Sequence, residues 1–225
     1  MKPNSRAPET PSSAAPIRIL IADDHALIRK GLKQVLADEF PQSQIGEAAN
    51  AREALGLVSN QSWDAILLDI TMPGQSGLDV LKQIKQLHPK TPVLILSMHP
   101  EDQYATRALK AGASGYLTKN TASELVANAL RKILAGGTYV SPALAEELAQ
   151  RLTEPSAGAP HETLSDREYQ IMSALASGKS VKEISFDLAL SVKTVSTYRT
   201  RLLRKLNLTT TAELIRYALR EGLVQ

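Results

Sequence analysis

The sequence predicts an α/β protein: a doubly wound (βα)5 parallel sheet followed by a small all-α domain. Two observations predict it. Between residues 17 and 137, five short apolar runs alternate with segments whose apolar residues recur at helical spacing. After a stretch rich in proline, alanine and glycine, the pattern becomes purely helical. Five consecutive strand–helix units favour a parallel sheet with helices on both faces, and we expect the strand order 2-1-3-4-5.

The apolar runs give the strand positions and the periodic segments give the helices. Strands are predicted at Ile17–Ala22, Gln44–Ala48, Ala65–Asp69, Val93–Ser97 and Gly115–Thr118. Helices are predicted around 26–38, 51–59, 78–87, 103–111 and 122–135, with a further short helix at Pro142–Leu152 that could dock on either domain. We therefore divide the chain into a disordered tail (1–16), a first domain (17–137), a linker with a short helix (138–160) and a second domain (161–225).

Composition and charge restrict the class of protein. The chain has 225 residues and no cysteine, which excludes disulfides and thiolate metal sites and fits a reducing, cytoplasmic setting. No apolar run reaches the roughly 18 residues that a membrane span needs, and no signal peptide is evident, so we expect no membrane partner. Residues 161–225 hold 10 basic and 7 acidic side chains, whereas 17–137 hold 13 and 12. This excess predicts a polyanionic partner for the second domain.

Polar residues stand where the predicted strands end. Strand one is followed by Asp23 and Asp24, strand three ends in Asp69, strand four ends in Ser97, and Lys119 follows strand five. Parallel sheets bind ligands beyond the carboxyl ends of their strands. With strands one and three adjacent, three carboxylates would converge there and require a cation, and an all-oxygen ligand set suits Mg²⁺.

This arrangement predicts phosphoryl transfer to a carboxylate. We assign Asp69 as the nucleophile and metal ligand, with Asp24 and the backbone carbonyl of Thr71 as further ligands and Asp23 acting through water. Lys119 would pair with one phosphoryl oxygen, and the Ser97 hydroxyl would donate to another. Any single aspartate at a strand end is more often a turn or helix cap. The joint pattern favours the functional interpretation.

The motifs IADDH, LLDITMPGQSGL, ILSMH and GASGYLTK resemble the receiver domain of response regulators over residues 17 to about 137. The resemblance implies phosphotransfer from a histidine kinase to Asp69, followed by inward movement of Ser97 and of an aromatic switch residue, Tyr116. Without the motif, Tyr116 would be a core residue.

Where the family commonly has proline after the strand-five lysine, this chain has Asn120, so the local peptide geometry stays open. His25, His88 and His99 show no metal-ligand spacing and are expected at the surface.

The sequence of the second domain predicts a helix-turn-helix. Ser165 and Glu168 form a capping box that starts a helix running to Ser177, Val181–Leu188 follows, and Ser191 caps a third helix, Val192–Leu206. The inner face of this third helix carries Val195, Tyr198, Leu202 and Leu206. Its other side carries hydroxyls among cations, namely Lys193, Ser196, Thr197, Arg199, Thr200, Arg201, Arg204 and Lys205. This mixture suits a major groove, although a solvated basic face is the commoner explanation of such a stripe.

The motifs LSDRE, GKSVKEIS, LSVKTVSTYR and LLRKL resemble the LuxR-type four-helix domain of NarL/FixJ regulators over 161–225. The resemblance implies that Ser196, Thr197 and Thr200 face bases, while Lys193, Arg199, Arg201 and Lys205 face the backbone. It also implies that Thr211–Glu221 forms a dimer helix. Leu214, Tyr217 and Ala218 would line its seam or be ordinary core. Tyr198 stands where the family usually has histidine.

The expected function is a transcriptional response regulator, not an enzyme beyond its own phosphotransfer and dephosphorylation. Its partners would be a histidine kinase, double-stranded promoter DNA and, when phosphorylated, a second copy. A Mg²⁺-dependent phosphatase and a phosphorylation-independent DNA-binding protein are the alternatives. Sustained turnover on a phosphate ester would favour the phosphatase. Tight operator binding that a phosphodonor does not change would favour the phosphorylation-independent DNA-binding protein.

Overall fold

A computed structural model describes residues 16–120, 123–153 and 159–224 of the chain. Its five strands form one parallel sheet in the predicted order, β2-β1-β3-β4-β5. The strands are β1 (Arg18–Ala22), β2 (Gln44–Ala48), β3 (Ala65–Asp69), β4 (Val93–Ser97) and β5 (Gly115–Thr118). Four strands match their predicted bounds, and β1 begins one residue later than predicted.

Each strand is followed by a helix. These helices are α1 (Ala26–Glu39), α2 (Ala51–Asn60), α3 (Gly77–Leu87), α4 (Glu101–Lys110) and α5 (Ser123–Leu134). Alternate residues of each strand point to opposite faces of the sheet, so Ile19 and Ile21 pack on the side of α1 and α5. Leu20 and Leu68 pack on the opposite side, with α2, α3 and α4. Helices therefore cover both faces, and the strand ends form an open rim.

The helix α6 (Pro142–Thr153) packs against α4 of the first domain. Its Leu144 is buried, and the Ser141 hydroxyl that precedes the helix donates to the Glu101 carboxylate. Of the two domains on which this helix could dock, α6 therefore docks on the first. Apart from Pro16, the predicted tail lies outside the described residues, as does the part of the predicted linker at 154–158.

The C-terminal part is helical throughout. After a 3-10 turn (Pro160–Thr163), it contains α7 (Asp166–Ala176), α8 (Val181–Asp187), α9 (Val192–Lys205) and α10 (Thr211–Arg220). The hydroxyls of Ser165, Ser180 and Ser191 accept hydrogen bonds from backbone amides in the first turns of α7, α8 and α9, as their positions predict. Between α8 and α9, Ala189 has a φ of 49°, a left-handed turn residue that sets α9 across α8. Among the described residues, no helix is long and apolar enough to cross a membrane.

Candidate phosphoacceptor rim and DNA-binding face

Asp23 and Asp69 meet at the rim because β1 and β3 are adjacent and in register, with Ala22 opposite Leu68. Both carboxylates are 1% exposed. Lys119, which follows β5, places its Nζ 2.7 Å from Asp69 Oδ2 and 2.7 Å from Asp23 Oδ2. Residues from the ends of three strands thus converge at one point, the rim where the sequence predicted that they would meet.

The buried carboxylates at the rim are only partly neutralised. Burial raises the pKa of Asp69 from 3.8 to about 6, even though the Lys119 ammonium lies beside it. The nearby Asp23 carboxylate raises that pKa further, while the Thr71 amide, which donates to Asp69 Oδ1 at 3.0 Å, lowers it. One ammonium between two buried carboxylates leaves an excess of negative charge, which a divalent cation would neutralise.

The donor set fits such a cation. Asp23, Asp24, His25 and Asp69 each offer a ligand atom, and these atoms lie within 4.8 Å of one another. Within the described part of the chain, Asp23 Oδ2 and Asp24 Oδ1 are buried oxygens without a well-aligned hydrogen bond, although each faces a basic nitrogen. Carboxylate oxygens at this spacing are what a hard cation such as Mg²⁺ requires. The His25 ring, 2.8 Å from Asp24 Oδ1, is a member of the cluster that the sequence did not indicate.

The loop after Asp69 is held close to the rim by Gly77. Its amide donates to the Ile70 carbonyl at 2.8 Å, and a Cβ at this position would lie 2.0 Å from the Asp69 carbonyl oxygen. Only glycine permits that approach. The loop therefore returns at once to α3 and keeps Thr71 beside the Asp69 carboxylate. Every described peptide bond is trans, including the one between Lys119 and Asn120.

Ser97 and Tyr116 lie on the side of the rim next to α4, and both are completely buried. The Ser97 hydroxyl accepts the His99 amide at 3.0 Å, and the Tyr116 hydroxyl donates to the His99 carbonyl at 2.9 Å. Burial raises the pKa of Tyr116, so its hydroxyl stays protonated and acts as a donor. In this structure Tyr116 therefore lies buried against the loop after β4.

His99 was expected at the surface, but the structure places it half-buried, in contact with α4 and with the loop after β3. Its ring stacks on Tyr104 of α4 with centroids 4.6 Å apart, and its Nε2 lies 3.4 Å from the Thr71 hydroxyl. Burial and the Lys179 ammonium lower the pKa of His99, so the ring is neutral at neutral pH. The short-range pattern around His99 carries no signal for this contact, because Tyr104 lies on the following helix.

The outer side of α9 is open to solvent, as a DNA-binding face requires. Val195 and Leu202 point inward and are completely buried, and Leu206, just after α9, is also buried. Seven of the eight predicted contact residues are exposed, and Arg199 is half-buried; the exposed ones are Lys193, Ser196, Thr197, Thr200, Arg201, Arg204 and Lys205. Within the described residues, no receiver element therefore covers this face.

Two of the predicted phosphate contacts already have protein partners. Lys205 Nζ lies 2.6 Å from Glu168 Oε2 of α7, and Arg199 Nε donates to the Thr211 hydroxyl at 2.8 Å. These contacts tie α9 to α7 and to α10. Both side chains therefore have a structural role in addition to any role on DNA.

The sequence left open whether Leu214, Tyr217 and Ala218 of α10 line a dimer seam or the core, and the structure places them in the core. Leu214 and Ala218 are completely buried and Tyr217 is 7% exposed, because α10 packs this side on α7. A seam with a second copy would need the outer face of α10, which carries Ala212, Ile215, Arg216 and Leu219 at helical spacing. Leu219 is 54% exposed.

Two family models match the chain. One, for the response regulator receiver domain, covers residues 19–131, and the other, for bacterial regulatory proteins of the luxR family, covers residues 162–218. "Response regulator GacA" of Pseudomonas aeruginosa is 37% identical over 209 residues, which are 92% of this chain and 98% of that protein. "Response regulator UvrY" of Escherichia coli (strain K12) is 36% identical over 208 residues, 92% of this chain and 95% of that protein.

A solved structure has the same architecture. It is RcsB from Salmonella enterica serovar Typhimurium, bound to promoter rprA in the presence of phosphomimetic BeF3-. The TM-score is 0.62 with 22% identity, over 90% of this chain and 98% of that one. At this identity the likeness concerns the fold alone.

Proposed function

The chain belongs to the two-component response regulators that join a receiver domain to a LuxR-type DNA-binding domain, and on that premise we propose that phosphorylation of Asp69 in the presence of Mg²⁺ controls its binding to promoter DNA. The contact of Lys119 with both Asp69 and Asp23 carries the proposal, because it brings the residues needed for phosphoryl transfer to one point. We assign the receiver to 17–137 and the DNA-binding domain to 161–225, with a linker at 138–160. A regulator of chromosomal promoters works in the cytoplasm.

The proposed chemistry uses the residues of the rim. An Asp69 carboxylate oxygen attacks the phosphorus of a phosphohistidine on the kinase, an O–P bond forms, and the P–N bond breaks as the imidazole leaves. Lys119 holds the Asp69 carboxylate before the reaction and pairs with a phosphoryl oxygen after it, while Ser97 donates to another oxygen. Mg²⁺, held by Asp24, Asp69 and the Thr71 carbonyl and through water by Asp23, would neutralise the transferring oxygens.

The proposed DNA contacts divide by chemistry. The hydroxyls of Ser196, Thr197 and Thr200 would face base edges. Two of them donate to backbone carbonyls one turn earlier, Thr197 to Lys193 and Thr200 to Ser196, which leaves their lone pairs available to base amino groups. The cations Lys193, Arg199, Arg201, Arg204 and Lys205 would contact phosphates. We propose that a phosphorylated homodimer presents two such helices to two half-sites.

Phosphopeptide mapping tests the phosphoacceptor directly. The full chain is incubated with acetyl phosphate and Mg²⁺. Tritiated borohydride then reduces the acyl phosphate, which releases phosphate and leaves a labelled homoserine, and the labelled peptide is identified by mass spectrometry. We expect label on Asp69 alone, none in Asp69→Asn, and normal label in the matched surface variant Asp38→Asn. Label on another residue of the wild type, or label persisting in Asp69→Asn, would contradict the proposal.

A further inference from the structure

A continuous contact joins the rim to the DNA-binding domain through α4. Tyr104 is 1% exposed, and its ring meets the edge of Tyr169 of α7 with centroids 5.2 Å apart. On its other side, Tyr104 carries the stacked His99 ring. Three aromatic rings thus run from the loop after β4 into the first helix of the DNA-binding domain.

Polar contacts fix α7 in this position. The Arg107 guanidinium lies 4.0 Å above the Tyr169 ring, and it donates to the carbonyls of Leu164 at 2.9 Å and His161 at 2.6 Å. Lys82 Nζ of α3 lies 2.6 Å from Asp166 Oδ2 at the start of α7. The position of α7 on α4 is therefore defined by directional contacts as well as by apolar packing.

A second contact joins the loop that follows Asp69 to the DNA-binding domain. The Gly74 amide donates to the Leu188 carbonyl at 3.2 Å, and the Arg167 guanidinium donates to the Gly74 carbonyl. Leu188 immediately precedes the left-handed turn residue Ala189, so this loop contacts the turn between α8 and α9. The loop after β3 thus contacts the DNA-binding domain directly, and the loop after β4 reaches it through Tyr104 of α4.

His99 is the residue where these elements and the phosphorylation machinery meet. Its amide donates to the Ser97 hydroxyl, its Nε2 lies beside the Thr71 hydroxyl, and its ring rests on Tyr104. When Ser97 turns to donate to a phosphoryl group, it can no longer hold the His99 amide in the same geometry. A shift of His99 would in turn disturb its stacking on Tyr104.

We propose that His99 is a positioning residue through which the docked DNA-binding domain weakens phosphoryl binding at Asp69. It acts on the reaction through Ser97 and Thr71, and it is linked to α7 by the contacts of its ring with Tyr104 and of Tyr104 with Tyr169. The proposal rests on the function proposed above. Phosphoryl binding turns Ser97 away from the His99 amide and disturbs the stack on Tyr104, so it opposes docking. Because linkage is reciprocal, docking weakens phosphoryl binding by the same factor.

The test measures binding of beryllium trifluoride, a phosphoryl mimic, to the full chain in Mg²⁺. Two variants loosen docking without touching the rim. Tyr169→Leu removes the ring contact, and Lys82→Ala removes an ion pair whose lysine side chain is 51% exposed, so that it leaves the core intact. We expect each to tighten beryllium trifluoride binding about five-fold or more. Asp38→Asn, at an exposed site on α1, serves as the matched control, with unchanged affinity.

The same two variants are then combined with His99→Leu. We expect the gain to fall to less than two-fold in that background, which a merely structural role of His99 would not produce. Equal gains with and without His99, or no gain from either docking variant, would overturn the inference. If the wild type bound no beryllium trifluoride and accepted no phosphoryl group at Asp69, the proposed function itself would fail, which is a different result.

Discussion

Lys119 Nζ lies 2.7 Å from Asp69 Oδ2, although 50 residues separate the two along the chain. The contact requires that β3 and β5 end at the same rim, with β4 between them. The same ammonium lies 2.7 Å from Asp23 Oδ2, so one positive charge serves two buried carboxylates. This imbalance accounts for the affinity that we expect for a divalent cation.

Magnesium should stabilise the receiver through the acidic cluster. At a concentration 100 times its dissociation constant, a ligand that binds only the folded state adds about 2.7 kcal/mol, which corresponds to a rise in Tm of about 5–10 °C here. Differential scanning calorimetry with and without Mg²⁺ measures it. We expect Asp24→Asn to reduce the rise and Asp38→Asn, at an exposed site on α1, to leave it unchanged. Equal rises in all three proteins would place the ion elsewhere.

Asp69→Asn should make the metal-free protein more stable at neutral pH. Since burial raises the pKa of Asp69 in the fold from 3.8 to about 6, ionisation there opposes folding. The penalty is absent below about pH 4 and complete above about pH 6, and at about 1.4 kcal/mol per pKa unit it amounts to at most about 3 kcal/mol. Urea unfolding at pH 7.5 and pH 5.0 should show a larger gain at pH 7.5. A loss of stability at pH 7.5 would show that Lys119 already neutralises the carboxylate fully.

Substitutions on α9 should separate affinity from sequence preference. Arg201→Ala is expected to weaken binding to all duplexes and to lower the slope of log K against log salt by about 0.9. Thr200→Ala should instead relax the preference at one base pair by about 1–3 kcal/mol. Competition binding with a panel of operator variants distinguishes the two effects. If both variants changed affinity uniformly, the division of contacts on α9 would be wrong.

Two leucines of α10 should behave differently. Leu219 is 54% exposed, so Leu219→Glu should leave the free energy of unfolding within about 0.5 kcal/mol while impairing dimeric binding to a two-half-site duplex. Leu214 is completely buried, so Leu214→Ala should cost about 2–5 kcal/mol of stability. Unfolding curves and gel shifts on one and two half-sites measure both. Undiminished dimeric binding by Leu219→Glu would place the seam on another surface.

Local patterns in the sequence were sufficient to predict most of the fold. Strand runs, helical spacing and the capping serines predicted the strand bounds to within one residue and the starts of α7, α8 and α9. The adjacency of β1 and β3 follows from general topology, so the meeting of Asp23, Asp69 and Lys119 could be predicted as well. These features depend on local propensity and on the rule that ligands bind at strand ends.

Features that depend on distant packing could not be predicted. A helix with apolar residues on one face does not reveal whether that face meets the same chain or a second copy. The sequence therefore left both roles open for Tyr217, which packs internally. The Tyr104–Tyr169 contact joins two domains, and the partner of His99 depends on the position of α4. Neither leaves a periodic signal in the sequence.

The most direct test measures the affinity of the full chain for promoter DNA before and after treatment with acetyl phosphate and Mg²⁺. Binding is followed on a fixed duplex at one salt concentration, with the wild type, Asp69→Asn and Asp38→Asn in parallel. The account predicts that phosphorylation raises the affinity of the wild type and of Asp38→Asn for DNA about ten-fold or more, a coupling of about 1.4 kcal/mol. The affinity of Asp69→Asn should not change. An equal response from Asp69→Asn, or no response from a wild-type protein shown to carry phosphate on Asp69, would contradict it.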